Sequence, residues 1–168
     1  MGDIKNLSRE EGIKKLRELA MDAKFCHFVT ALDQKPLKSR PMTTQEVDEE
    51  GNFWFLSGDS SEKNNDIEEE PEVQLFYSNP GSSEYLTVFG YAEVIRDRSK
   101  LEELWSPFAK AWFSEGKDDP NLTILKVNVA DAYYWDTRNN KMIQLIKIAA
   151  GAVMGKPFDD GVEGQINP

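Results

Sequence analysis

The sequence predicts a mainly β fold: a small closed or partly closed β-barrel with flanking helices. Three observations point there. Six or more short runs of β-forming residues recur along the chain, each bounded by turn residues. Gly90 interrupts the longest run, as at a bulge or a close backbone approach where a barrel bends. The helical patterns are few and short enough to plug the ends or sides. No internal repeat is visible. Residues 1–150 read as one domain and residues 151–168 as a C-terminal tail.

Each element has a local reason. Asn6–Ala23 is predicted as an amphipathic helix, with Ser8 and Glu11 as a capping box and Ile13, Leu16, Leu19, Ala20 and Ala23 on one face. Cys26–Leu32 is a strand, closed by the turn Asp33-Gln34-Lys35-Pro36. Ser39–Lys63 reads as two strands around a tip at Asp48-Glu49-Glu50-Gly51, followed by a loop opening a helix. That helix covers Ser61–Glu70 and stops at Pro71. Val73–Tyr77 and Tyr85–Ile95 are strands separated by the turn Asn79-Pro80-Gly81. Arg98–Phe113 is helical, with Leu101, Leu104, Trp105, Phe108, Ala109 and Trp112 on one apolar face, and Pro107 divides it into two short helices. Gly116–Asn121 is a loop. Leu122–Val129 and Ala132–Asp136 are strands with a bend near Ala130-Asp131. Arg138–Lys141 is a turn, Met142–Ala149 a last strand, and Gly151–Pro168 a tail ordered by contact or loose.

Composition narrows the function. With 168 residues the chain can bury a sizeable core. A net charge of −10 and a pI near 4.7 argue against nucleic acid and against an anionic membrane surface. The single cysteine, Cys26, leaves no internal disulfide and no multi-cysteine metal site, and the single histidine, His27, argues against histidine-rich metal chemistry. Both read as packed or edge residues of the first strand rather than catalysts. No long apolar run opens the chain, so the expectation is a cytoplasmic protein with no signal peptide or membrane span. No nucleophile–base pair and no metal-ligand spacing is visible, so the catalytic residues stay unknown and no metal is expected.

One stretch does suggest chemistry. A hairpin over Ser39–Ser57 brings Arg40 beside the Ser57–Lys63 loop. A guanidinium, an ammonium, the hydroxyls of Ser57, Ser60 and Ser61 and free helix N-terminal amides in one place would hold a phosphate. The alternative is that Arg40 and Lys63 pair with some of the many carboxylates.

The ordered motifs resemble the FMN-binding split barrels related to pyridoxamine 5′-phosphate oxidase, and within them the general stress protein 26 group. The likeness lies in Ser39-Arg40-Pro41-Met42, then Phe53-Trp54-Phe55-Leu56-Ser57, then Ser61 and Lys63. It continues through Glu72-Val73-Gln74-Leu75, Tyr85–Ala92, Leu104-Trp105, Ala111-Trp112-Phe113, Asp119-Pro120 and Tyr134-Trp135-Asp136. The resemblance implies a homodimer with FMN in clefts at the interface. Arg40 and Lys63 would hold the phosphate, with Ser57 and Ser61 contributing hydroxyls. The backbone of Pro41, Met42 and Thr43 would run beside the isoalloxazine ring, and Leu56 would also line it. Tyr85 would approach from the neighbouring subunit or strand, and Trp135 from the other subunit. For Trp135 a core aromatic is the rival reading. Trp105 and Trp112 read as core or dimer-interface residues.

Departures from the oxidases matter too. Glu62 stands where they carry a basic residue, and Gln45 replaces a lysine-type position. The substrate-binding arginine and histidine that they carry beyond the Trp135 position have no counterpart, with only Lys147 in Met142–Ala149. The implied function is therefore an FMN-dependent oxidoreductase of unknown small-molecule substrate, distinct from a true pyridoxamine-phosphate oxidase. Two alternatives stand beside it: a stress protein that binds or senses flavin without turnover, and a split barrel for another cofactor such as haem or a deazaflavin. Haem would need an axial ligand, and His27 is the one histidine available.

Overall fold

The structure is a computed structural model and describes residues 3–4, 7, 9–137 and 161–166. Its elements run β1 (Asp3–Ile4), α1 (Arg9–Ala23), β2 (Phe25–Thr30), β3 (Lys38–Val47), β4 (Phe53–Gly58), α2 (Glu62–Glu69), β5 (Glu72–Asn79), β6 (Glu84–Ile95), α3 (Arg98–Leu104), β7 (Leu122–Thr137) and β8 (Gly161–Ile166). Two 3₁₀ turns, Pro107–Ala111 and Gly116–Asp118, lie between α3 and β7. The proposed capping residue Ser8, the turn Arg138–Lys141 and the strand Met142–Ala149 lie outside the described residues.

The predicted barrel is present and closed. Strands pair in the order β7-β4-β3-β2-β5-β6 and return to β7, every pair antiparallel. Alternation sets its inside: along β4, Phe53, Phe55 and Ser57 are buried while Trp54, Leu56 and Gly58 are less so. Phe28, Phe53, Phe55, Leu75, Leu86, Val88 and Leu125 fill the lumen, with Phe28 and Phe55 edge-on at 5.2 Å. Each contributes about 1.5–3 kcal/mol by leaving water. Leu16, Leu19 and Ala20 of α1 join the same cluster.

β7 is the longest strand and serves three partners. One edge follows β6 along its length; the other pairs with β4 over Leu122–Val127 and with β8 over Ala132–Thr137. The two expected strands are thus one, with the bend where the sequence places it. The register steps from Phe89↔Asp131 to Gly90↔Val129, leaving Ala130 as the extra residue of a bulge. Gly90 is required there, because a Cβ would collide with the Asn128 carbonyl oxygen.

Of the two forms expected for the tail, its described part takes the one ordered by contact. Gly161–Ile166 forms a strand rather than a loose segment, because Ile166 is fully buried and contacts α1 at Gly12, where a Cβ would lie 2.5 Å from it. Pro107 does separate two helical pieces, but the predicted common apolar face does not survive it. Leu101, Leu104 and Ala109 are buried, whereas Phe108 and Trp112 are about three-quarters exposed at 73% and 74%. The segment restarts as a 3₁₀ turn, whose tighter pitch turns those two rings outward.

Candidate functional site

The barrel wall opens where β3 changes partners. β3 pairs with β2 from Lys38 to Thr43, and with β4 from Thr44 to Val47. Pro41 suits such a strand edge, having no N–H to leave unpaired. α3 stands over the opening, anchored by Leu101 and Leu104 against Leu122 and Ile124. Between them lies a groove of about 980 Å³, in the range of small-molecule sites.

The structure brings most of the expected residues to this groove. Arg40, Pro41, Met42, Thr43, Leu56, Ser57 and Lys63 all line it. Ser61 is the N-cap of α2, and its hydroxyl accepts from the Lys63 ammonium at 3.0 Å. The opposite wall is apolar and aromatic, with Leu104, Trp105, Phe108, Trp112 and Phe113. Tyr85 and Trp135 do not line the groove. They face each other across β6 and β7, 42% and 40% exposed, with Tyr133 against Trp135 at 4.8 Å.

The two cations differ in their surroundings. Arg40 Nη1 donates to Thr30 Oγ1 at 2.7 Å, and Nη2 lies 3.8 Å from Asp66 Oδ2. Burial lowers the pKa of its guanidinium, against the pull of Asp66 and Glu62. Lys63 is half-buried and has no carboxylate partner among the described residues. Burial, and then the charge of Arg40, hold its ammonium below the ordinary lysine range. Of the expected carboxylate pairings, Arg40 therefore keeps a distant one and Lys63 none among the described residues. Glu62 points elsewhere, to Lys38 at 2.9 Å.

Behind the cations lies a polar layer that the sequence pattern did not disclose. Asn64 is buried, and its Oδ1 accepts from Ser57 Oγ at 2.6 Å and from Ser61 Oγ at 3.1 Å. Its Nδ2 donates to Thr123 Oγ1 at 3.2 Å. Both serine hydroxyls thus give their protons to one carbonyl and turn lone pairs to their other neighbours. Asp66 is buried too, accepting from Thr30 at 2.7 Å and Lys38 at 2.9 Å. Burial pushes its carboxyl pKa up, but these donors and the charges of Lys38 and Arg40 outweigh that and hold it below the usual range. Only the polar character of α2 between Lys63 and Ile67 could have pointed to these residues.

Cys26 matches its expected core role, whereas His27 is neither packed nor at a sheet edge, since β2 is paired on both sides by β3 and β5. Cys26 is buried, and desolvation pushes its thiol up to about 12. His27 is exposed, beside Ser39 Oγ at 3.3 Å, and does not line the groove.

Comparison with known proteins places this architecture. A family model described as "Pyridoxamine 5′-phosphate oxidase like" matches residues 11–159. Protein bli-3 of Neurospora crassa is 24% identical over 159 residues, 88% of this chain and 76% of that protein. General stress protein 26 of Bacillus subtilis is 35% identical over 72 residues, 41% of this chain and about half (51%) of that protein. Among solved structures, a protein assigned as general stress protein 26 from Jannaschia sp. CCS1 aligns with a TM-score of 0.77 at 22% identity, covering 96% of this chain and 100% of that one. The general stress FMN/FAD binding protein of Xanthomonas citri aligns with a TM-score of 0.66 at 23% identity, covering 79% and 93%. These structural likenesses establish the split-barrel fold.

Proposed function

This chain belongs to the pyridoxamine 5′-phosphate oxidase like family, and from that premise we propose that it is an FMN-binding oxidoreductase of a small-molecule substrate. We place it among the stress-related flavoproteins, as a cytoplasmic homodimer, and apart from the true pyridoxamine-phosphate oxidases.

One observation carries the flavin reading. In a chain of net charge −10, a half-buried lysine with no carboxylate partner among the described residues sits beside a half-buried arginine at the end of a groove. Keeping two like charges together out of water is unfavourable unless an anion joins them. A phosphate ester of about two negative charges fits that need, and Arg40 and Lys63 would hold it. Ser57 and Ser61 would turn their hydroxyls from Asn64 toward the phosphate oxygens. The Pro41–Thr43 backbone and Leu56 would flank the ring system. FMN, when bound, supplies the hydride and electron chemistry; the chain supplies orientation and a water-poor wall. The name of the Xanthomonas protein, FMN/FAD binding, supports the same cofactor class.

The dimer reading rests on surface aromatics. Phe76, Tyr85, Tyr91 and Trp135 are each at least 40% exposed. A second copy would cover such rings and bring Tyr85 and Trp135 to its own groove. The test of function is spectroscopic. Purified protein should carry flavin absorbance, and NADH or NADPH should bleach it. A flavin that neither donor reduces would point to storage or sensing, and protein that stays colourless with added FMN would overturn the cofactor.

A further inference from the structure

We propose that Thr30 is a positioning residue that holds the Arg40 guanidinium toward the groove and off Asp66, an inference that rests on the phosphate reading above. Thr30 ends β2, opposite Lys38 of β3, and is fully buried. Its hydroxyl stands between two groups of opposite charge. Arg40 Nη1 donates to it at 2.7 Å, and it donates to Asp66 Oδ2 at 2.7 Å. The other terminal guanidinium nitrogen, Nη2, is 3.8 Å from that same carboxylate oxygen.

A hydroxyl has one proton. Thr30 spends it on Asp66, so its lone pairs are left for Arg40. The result is an arginine fixed by a neutral acceptor, with its charge only partly met by the carboxylate behind. Asp66 has little slack of its own, since Oδ1 takes the Lys38 ammonium at 2.9 Å.

Among the described residues, removing the hydroxyl leaves Arg40 without its hydrogen-bond acceptor and Asp66 Oδ2 without its hydrogen-bond donor. The shortest repair is for the guanidinium to close the gap and bond the carboxylate directly. Arg40 lines the groove and Asp66 does not, so that move turns the guanidinium inward and neutralises it. Thr30 therefore keeps a cation available that a direct ion pair would consume.

The experiment compares FMN and riboflavin affinities by titration calorimetry in four variants, with thermal unfolding as the fold check. Thr30→Val keeps the shape and suits a strand; it should lower the FMN-to-riboflavin affinity ratio about tenfold, the size of one lost charge-assisted bond. Thr30→Ser keeps the hydroxyl and should stay within about threefold of the wild type. Thr30→Val combined with Asp66→Asn should regain most of the ratio, because no carboxylate remains to capture Arg40. Asp66→Asn alone still offers Thr30 an acceptor and should preserve the ratio, whether or not Thr30→Val folds. An unchanged ratio in Thr30→Val, an equal loss in Thr30→Ser, a lack of recovery in the double variant, or a tenfold loss in Asp66→Asn alone would each overturn the role. A wild type with no preference for FMN would instead overturn the phosphate site itself.

Discussion

Lys63→Met should make the free protein more stable and the FMN complex weaker. The Lys63 ammonium is half-buried, faces the Arg40 charge, and has the Ser61 hydroxyl as its hydrogen-bond partner. Methionine removes the charge, fills similar volume and has a similar helix propensity. Placing a polar group out of water without full compensation costs about 1–3 kcal/mol in protein variants, and the groove mouth still wets this one. A gain of about 0.5–1 kcal/mol is therefore expected, a rise of roughly 1–4 °C in the unfolding midpoint for a chain of this size. FMN binding should fall by roughly 1.5–3 kcal/mol, or about 10- to 150-fold, as a charge-assisted phosphate bond is lost. Riboflavin binding should be unchanged. pH gives a second signature. The folded-state pKa of Lys63 lies below its unfolded value of 10.5, so between the two the unfolded chain holds more protons and wild-type stability rises with pH. The variant's advantage should be full below that window and shrink as pH approaches 10.5. Differential scanning calorimetry and ligand titration measure both. A destabilised variant that loses FMN and riboflavin equally would refute the reasoning and make Lys63 a structural residue.

Three further outcomes are expected. Arg40→Ala should weaken FMN by roughly 1.5–3 kcal/mol and leave riboflavin nearly untouched in calorimetric titrations, because riboflavin has no phosphate for the guanidinium to hold; equal losses would remove Arg40 from the phosphate site. Gly90→Ala should cost about 3 kcal/mol in denaturant unfolding, since its Cβ meets backbone at the β6–β7 bulge and cannot be accommodated by a rotamer change. Sedimentation at micromolar concentration should report a homodimer, and a monomer that binds FMN tightly would take Tyr85 and Trp135 out of the site.

Local signals made the barrel readable. Strands of alternating burial and sharp turns lie close together in the chain, and the hairpin tip carries its own chemistry. Asp48 accepts from Glu50 N, Asn52 N, Asn52 Nδ2 and Trp54 Nε1, all within six residues. Arg40, Ser57 and Lys63 come from the hairpin strands and the helix that follows them and line one groove, so that part was legible as well. Thr30 and Asp66 were not, because they meet across 36 positions and look like an ordinary strand residue and an ordinary helix carboxylate. Nor was the strand role of Gly161–Ile166, where glycines and polar residues mimic a tail and only the free edge of β7 and the gap at Gly12 make a strand of it. Phe108 and Trp112 were misplaced because helical periodicity was carried through Pro107, past which the backbone changes pitch.

The most direct measurement is a side-by-side titration of the wild-type protein with FMN and riboflavin at physiological salt. The two ligands share the isoalloxazine ring and the ribityl chain and differ in the phosphate that Arg40 and Lys63 are placed to hold. Two charge-assisted contacts of roughly 1.5–3 kcal/mol each predict that FMN binds at least about 100-fold more tightly. Equal affinities would show that the paired cations at the end of the groove are not a phosphate site, and would contradict the flavin mononucleotide reading at its base.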